Sequence, residues 1–307
     1  MVGEHTHGSE VAHVGIVEVG STVTKAYRAS LMGVEAVALT GIEFKKNSRT
    51  SGILAEDDIH DLLKCVRDAL PEAGNVWVYG TSIFRDLDES QPARVADALS
   101  ALGDVHFEVV SAEQEALLTA EGAIASISFD GNIGVLIGGG GSTEVVGFAG
   151  DQLLGVAESS LGVGDVNLAF PDLCEEVAVS GVDEVTEWIR GRLAVPNFAA
   201  GLLVLAGGDF PLLYENAGYS LSVNPYTADP EKRHLITVPE KRSGDEVFFH
   251  HLALSSFEHL TPDAPNWWKG ARAMCCVVNA VASQLGCQLL VPTRVSMVYG
   301  IALRLLA

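Results

Sequence analysis

Short apolar runs and stretches with helical spacing alternate along the whole chain. Val14–Val19 reads as a buried strand ending at Gly20, and Lys25–Ser30 and Glu35–Thr40 continue it as a meander. Ala55–Ala69 and Pro92–Leu102 space their apolar residues as helices do, while Val76–Tyr79 and Val105–Val110 are runs of strand length. The pattern predicts a helix over 111–124, with Ser111 as N-cap and Gln114 three residues on, the spacing of a capping box. A second series then opens with the strand Asn132–Ile137. A further apolar strand, Leu202–Leu205, runs into Gly207, Gly208 and Asp209, and Pro211 suits the first turn of a helix. A helix over 271–284, a strand at Gln288–Val291 and a last helical stretch close the chain. Residues 1–12 are polar and read as a disordered tail. Residues 218–248, with three prolines and the basic cluster Lys232, Arg233, His234, Lys241 and Arg242, read as an irregular excursion or a lid over substrate phosphates.

With 307 residues and 48% apolar content, the chain is long enough for its core to split into two lobes. The expected division is an N-terminal lobe over 13–125 and a C-terminal lobe over 126–307. No apolar run reaches the roughly 18 residues that cross a bilayer, and no secretion signal opens the chain, so the expected setting is the cytoplasm, away from membrane. The five cysteines contain no C-x-x-C pair, which points to reduced, buried thiols. A net charge of −21 leaves few cations for an extended anionic groove, and this disfavours nucleic acid. A small phosphorylated substrate remains compatible, because a divalent cation and oriented backbone dipoles supply local positive charge.

Chemistry concentrates where the apolar run Val135–Ile137 enters four glycines and then Ser142, Thr143 and Glu144. Glycines allow backbone N–H groups to approach an anion closely, so the stretch suits a phosphate loop, although a tight hairpin turn uses the same residues. The tripeptide G-S-T occurs both here, at 141–143, and after the first strand, at 20–22, which implies two related phosphate hairpins. Trp267 and Trp268, beside Pro265, read as anchors of a loop to the core or to a subunit partner.

In order, the first G-S-T, then G-T-S-I-F-R-D at 80–86, S-A-E-Q-E-A at 111–116, G-G-G-S-T-E at 139–144 and S-S-L-G-V-G at 159–164 resemble the exopolyphosphatase and guanosine pentaphosphate phosphohydrolase (Ppx/GppA) family. The resemblance spans roughly residues 13–306. It implies an α/β fold of two ribonuclease-H-like lobes, as in actin-like ATPases, with mixed sheets flanked by helices and the active site in the interlobe cleft. It also implies magnesium or manganese and hydrolysis of a phosphoanhydride or phosphate ester of a nucleotide or short polyphosphate. By the same resemblance, Glu115 is the catalytic glutamate that activates water, and Arg85 lies near the transferred phosphate. Gly20, Ser21 and Thr22 of the first hairpin, and Gly139, Gly140, Gly141, Ser142 and Thr143 of the second, supply donors to phosphate. Glu18 and Glu144 lie near the metal, and Gly207, Gly208 and Asp209 near a nucleotide or its ribose, though Asp209 equally suits a helix cap. A homodimer follows by analogy only.

The chain departs from the family at two positions. Glu18 stands where the superfamily has an aspartate, and Ile137 stands where the second loop carries one, removing a possible contact to a cation. The second departure favours an alternative, a nucleotide-binding regulatory protein without turnover. Lys25 extends the first hairpin to G-S-T-V-T-K, which is similar to kinases and activator ATPases of the superfamily, a third possibility.

Overall fold

The computed structural model describes residues 13–20, 23–42, 44, 48, 51–69, 75–85, 87–262 and 265–307. They gather into two compact units, one running to Glu115 and including Val298–Ala307, the other spanning Ala116–Met297.

The first unit is built on β1 (Val14–Val19), whose Ile16, Val17 and Val19 are all fully buried. Such a run suits a central strand with both faces covered. β2 (Thr24–Ser30) and β3 (Gly33–Thr40) pair antiparallel with it in sequence, while β4 (Val76–Gly80) and β5 (Val105–Val109) extend the other side in parallel. The order is β3-β2-β1-β4-β5. Helix α1 (Glu56–Ala69) packs on β2 and β3, and its three acidic residues in the first turn favour the positive end of the helix. A single turn, α2 (Ser82–Arg85), follows β4, and α3 (Ser90–Ser100) packs on β5.

Helix α4 (Ala112–Ile124) begins with the capping box its sequence announces. The Ser111 N–H donates to Gln114 Oε1 at 2.8 Å, and the Gln114 N–H donates back to Ser111 Oγ at 3.1 Å. Two end amides that the helix itself cannot satisfy are thereby paired, worth about 1 kcal/mol.

The second unit repeats the first topology. β6 (Asn132–Gly138) pairs antiparallel with β7 (Thr143–Ala149), which pairs with β8 (Gln152–Ser159). On its other side β6 runs parallel to β9 (Leu202–Ala206), every residue of which is buried, and β9 runs parallel to β12 (Leu289–Pro292). Two antiparallel strands, β11 (His234–Thr237) and β10 (Ser222–Val223), extend that edge. Helices α5 (Val163–Ala169), α6 (Val182–Arg190), α7 (Phe210–Asn216), α8 (Val238–His250) and α9 (Ala271–Leu285) complete the unit, and α10 (Met297–Leu306) ends the chain. Helix α9 is almost wholly buried, packs on α6, α8 and β6, and stops at Gly286 in the left-handed region (φ 72°).

The segment 218–248 is not an irregular excursion. It forms β10, β11 and most of α8, and two of its prolines open helical turns: Pro230 a 3₁₀ turn and Pro239 the helix α8. Proline lacks an N–H that the first turn leaves unpaired anyway, so these residues start structure here rather than break it. Thr237 and Glu240 form a second capping box. The basic cluster divides: Lys232 and Lys241 are buried, while Arg233 and Arg242 are exposed. Lys241 donates to Asp245 Oδ2 at 2.6 Å, to Cys275 O at 2.9 Å and to Asn279 Oδ1 at 3.0 Å, while Tyr219 completes the set with a bond to Asp245 Oδ1. Lys232 binds Asp229 at 3.0 Å and also donates to Ala125 O.

Candidate active site

Arg85 owes its position to the turn that carries it. Gly80 ends β4, and a Cβ there would lie 2.5 Å from the Phe84 ring, so glycine is what lets the ring fold back. Phe84 is 3% exposed and meets Phe107 edge-on at 5.2 Å. The Thr81 hydroxyl donates to Val19 O at 3.0 Å, tying the same turn to the end of β1. With its neighbour anchored, Arg85 reaches the start of α4. Its Nη1 donates to Val110 O at 2.9 Å and to Glu115 Oε2 at 3.0 Å. The Nε–Nη2 edge, the face that grips two oxygens of a phosphoryl group at once, has no acceptor among the described residues.

Arg85 and Glu115, 30 positions apart in the chain, are thus brought together, each about a third exposed. At that exposure an ion pair contributes at most about 1 kcal/mol to stability, so the pair is weak as a structural device. Glu115 lies in the first turn of α4, where a carboxylate offsets the helix's positive end and the nearby guanidinium.

Glu18 belongs to the same neighbourhood. Its Oε2 is buried without a hydrogen-bond partner among the described residues, although the residue as a whole is only half-buried. Burial raises the pKa of its carboxyl; Lys25, directly opposite in the β1–β2 register, works against this, and the negative charge of Glu115 adds to it.

The two glycine hairpins close alike. The Gly20 N–H donates to Val23 O at 3.0 Å and the Gly139 N–H to Ser142 O at 3.0 Å, which leaves Gly140 and Gly141 as the tip of the second. Ser21 and Thr22 lie outside the described residues. In the second tip, the amides of Gly140 and Gly141 donate to no group among the described residues, while Gly139 O and Gly140 O accept from Val163 and Gly164 at the start of α5. The approach is close: a Cβ on Gly162 would lie 2.5 Å from Gly140 backbone atoms. Ser142 is half-buried. Thr143 is fully buried and its hydroxyl donates to Leu161 O at 2.7 Å, so that proton is committed to the fold.

The shared closure makes positions comparable between the hairpins. Glu18 faces Lys25 across the first, and Ile137 faces Glu144 across the second. The carboxylate has moved from one strand to its partner. Ile137 instead packs against the turn at Gly207, where φ is 81° and a Cβ would lie 3.0 Å from the isoleucine methyl.

The donors present fit a magnesium ion held sparsely. Magnesium accepts one or two carboxylates and keeps water and substrate phosphate for its remaining positions. The orphaned Glu18 oxygen beside Glu115 meets that requirement, although no group of three or more His, Cys, Asp or Glu side chains gathers among the described residues.

The second unit also contains a cavity of about 450 Å³. Gly139, Gly140, Gly207, Gly208 and Asp209 line it, and so does Trp267, which the sequence offered only as an anchor. Asp209 is engaged, since its Oδ1 caps α7 through the Leu212 N–H at 3.0 Å and accepts from Arg294 Nε at 2.9 Å.

Two five-strand cores of one topology, an arginine–glutamate pair beside a half-buried acid, and a match to a phosphatase family define an α/β phosphohydrolase. It belongs to the Ppx/GppA phosphatase family, which residues 40–196 match. That span includes Arg85, Glu115 and the second hairpin, and excludes Glu18, Lys25 and Gly207–Asp209. Among solved structures, the type II variant of the Aquifex aeolicus Ppx/GppA phosphatase is similar over 96% of this chain and 99% of that one, at 18% identity and a TM-score of 0.76. An exopolyphosphatase from Cytophaga hutchinsonii is similar over 95% and 97%, at 16% identity and a TM-score of 0.71. At such identities the likeness establishes a shared fold, two mixed α/β units with sheets flanked by helices. No curated protein matches the chain. No helix among the described residues is long and apolar enough to cross a membrane.

Proposed function

We propose that the chain hydrolyses a phosphoanhydride or phosphate ester bond of a small substrate, with Glu115 as general base and Arg85 holding the transferred phosphoryl group. The contact between Arg85 Nη1 and Glu115 Oε2 at 3.0 Å carries this reading. It sets a proton acceptor beside a guanidinium whose other edge has no acceptor among the described residues. Water adds to phosphorus as its proton passes to Glu115, the bond from phosphorus to the leaving oxygen breaks, and Arg85 meets the negative charge spread over the phosphoryl oxygens. In the second unit, the amides of Gly140 and Gly141, which donate to no group among the described residues, themselves suit phosphate oxygens. Glu18 in the first unit and Glu144 in the second are the candidate ligands for magnesium or manganese; when bound, the ion would shield phosphate charge.

Phosphate release from a panel of nucleoside mono-, di- and triphosphates, pyrophosphate and tripolyphosphate tests this reading. Wild-type release that falls 10²-fold or more in Glu115→Gln supports it. Equal rates in the two proteins would exclude Glu115 as the base.

A further inference from the structure

β3, an outer strand of the first sheet, is built unlike the other long edges of the two sheets. An edge strand offers unpaired N–H and C=O groups, and proteins usually guard it with charge, lysine or proline. β5 carries Glu108, and β8 carries Glu158 with Asp151 at its turn. On a chain of net charge −21, acids at an edge repel a second copy. β3 has neither lysine nor proline, and Glu35 is its one charged residue. Arg28 stands directly opposite Glu35 on β2, and with Lys25 the hairpin Thr24–Thr40 holds two cations against one acid. A bulge at Val37, between the paired residues Ala36 and Ala38, is the guard that β3 does carry.

The hairpin exposes apolar residues where polar ones are expected. Leu31 is 80% exposed, Met32 89% and Leu39 62%. Leu31 and Met32 form the turn between Ser30 and Gly33, a place that ordinarily takes asparagine or glycine, and Leu39 lies at the far end of the strand. Apolar groups at both ends of one edge make it complementary to itself. A two-fold axis that pairs β3 antiparallel with its own copy brings the turn of each onto the Leu39 end of the other.

Symmetry also selects the register. Hydrogen-bonded and non-hydrogen-bonded pairs alternate along an antiparallel ladder, so a two-fold requires one residue to face its own copy. Glu35 in that place would set two carboxylates face to face. Ala36, which is exposed, sets Glu35 across from Val37 and Leu39 across from Gly33, where no side chain obstructs it and Met32 is next in line.

We propose that β3 pairs antiparallel with β3 of a second copy, centred on Ala36, with Leu31 and Met32 of each turn covering Leu39 of the other, so that the chain is a two-fold homodimer.

Sedimentation velocity of the full chain from about 1 to about 100 μM tests this, and because it reads mass without substrate the result is independent of phosphate release. A dimer is expected at the upper end, and the double variant Leu31→Lys, Met32→Lys is expected to weaken it about tenfold or more. Both side chains are in solvent in the monomer, so the melting temperature at the lowest concentration should not move. Added salt screens the repulsion between two acidic chains and is expected to strengthen the dimer. Ala36→Cys reads the register: self-facing residues have Cα atoms about 4.5–5.5 Å apart, within reach of a disulfide, so mild oxidation should link two copies through position 36 and far less through Glu35→Cys. Wild type is the control, its cysteines being buried apart from the half-buried Cys174. A monomer over the whole range would overturn the proposal, as would a dimer that survives both lysines, one that salt dissolves, or faster linking in Glu35→Cys than in Ala36→Cys.

Discussion

Arg85 and Glu115 are close because of three unrelated local facts: a glycine under Phe84, a threonine bonded to β1 and a serine that caps α4. None of these is chemistry, and together they aim the chemistry. Since the pair is partly exposed, Arg85→Lys should alter stability by less than about 1 kcal/mol while removing the two-oxygen grip. The expected result is a fall of tenfold or more in kcat/KM with an unchanged urea midpoint; a shifted midpoint with normal kcat/KM would make Arg85 structural. Gly140→Ala is a complementary probe. A Cβ there meets nothing within 4 Å, so the fold should be indifferent, yet it would crowd an anion approaching the open amides. Lower affinity for tripolyphosphate at constant melting temperature is the expected outcome. At this scale the sequence revealed Glu115 and Arg85 through motif order, but not how they are paired. Glu115 lies 30 positions away in the chain, and only the fold turns Arg85 toward it.

The elements themselves were largely visible as hydrophobic pattern. Strands β1, β4, β6 and β9 are apolar runs because both their faces are covered, and the start of α4 was announced by a serine and a glutamine that bond each other. The misreading of 218–248 came from proline and charge. Both are surface signals on average, but Pro239 opens a helix and Lys241 sits four residues before Asp245, the spacing that joins them inside the core. Lys241→Met should therefore cost about 3–5 kcal/mol, because it strands Asp245 without its cation, and a melting temperature lowered by several degrees is the check. The turn before α6 depends on pH instead. Burial alone would raise the Asp172 carboxyl, but bonds from the Ser180 N–H and hydroxyl and the Val179 N–H together hold its pKa below the ordinary value. A carboxyl depressed in the folded state stabilises above its unfolded pKa, and the gain is lost as pH falls through the folded one. Wild type should exceed Asp172→Asn in stability at pH 7, with the gap closing below about pH 4; a gap constant with pH would contradict this.

For the molecule as a whole, the recurrence of apolar strand, glycine and G-S-T implied two related hairpins, and the structure extends the repeat to strand order and direction. What sequence could not supply was the cavity, whose walls come from residues around 138, 164, 207 and 267, each ordinary alone. The net charge of −21 acts at the same scale. It repels anionic substrates over distances that salt shortens to about 10 Å at 0.1 M, so kcat/KM for tripolyphosphate should rise with ionic strength rather than fall. The central claim is phosphohydrolysis by Glu115 beside Arg85, and the most direct test is initial phosphate release with magnesium or manganese across nucleotides and short polyphosphates, wild type against Glu115→Ala. The account predicts release from at least one substrate that drops 10²-fold or more in the variant. Undiminished release in Glu115→Ala, or none from wild type alongside clear binding of a nucleotide, would contradict it.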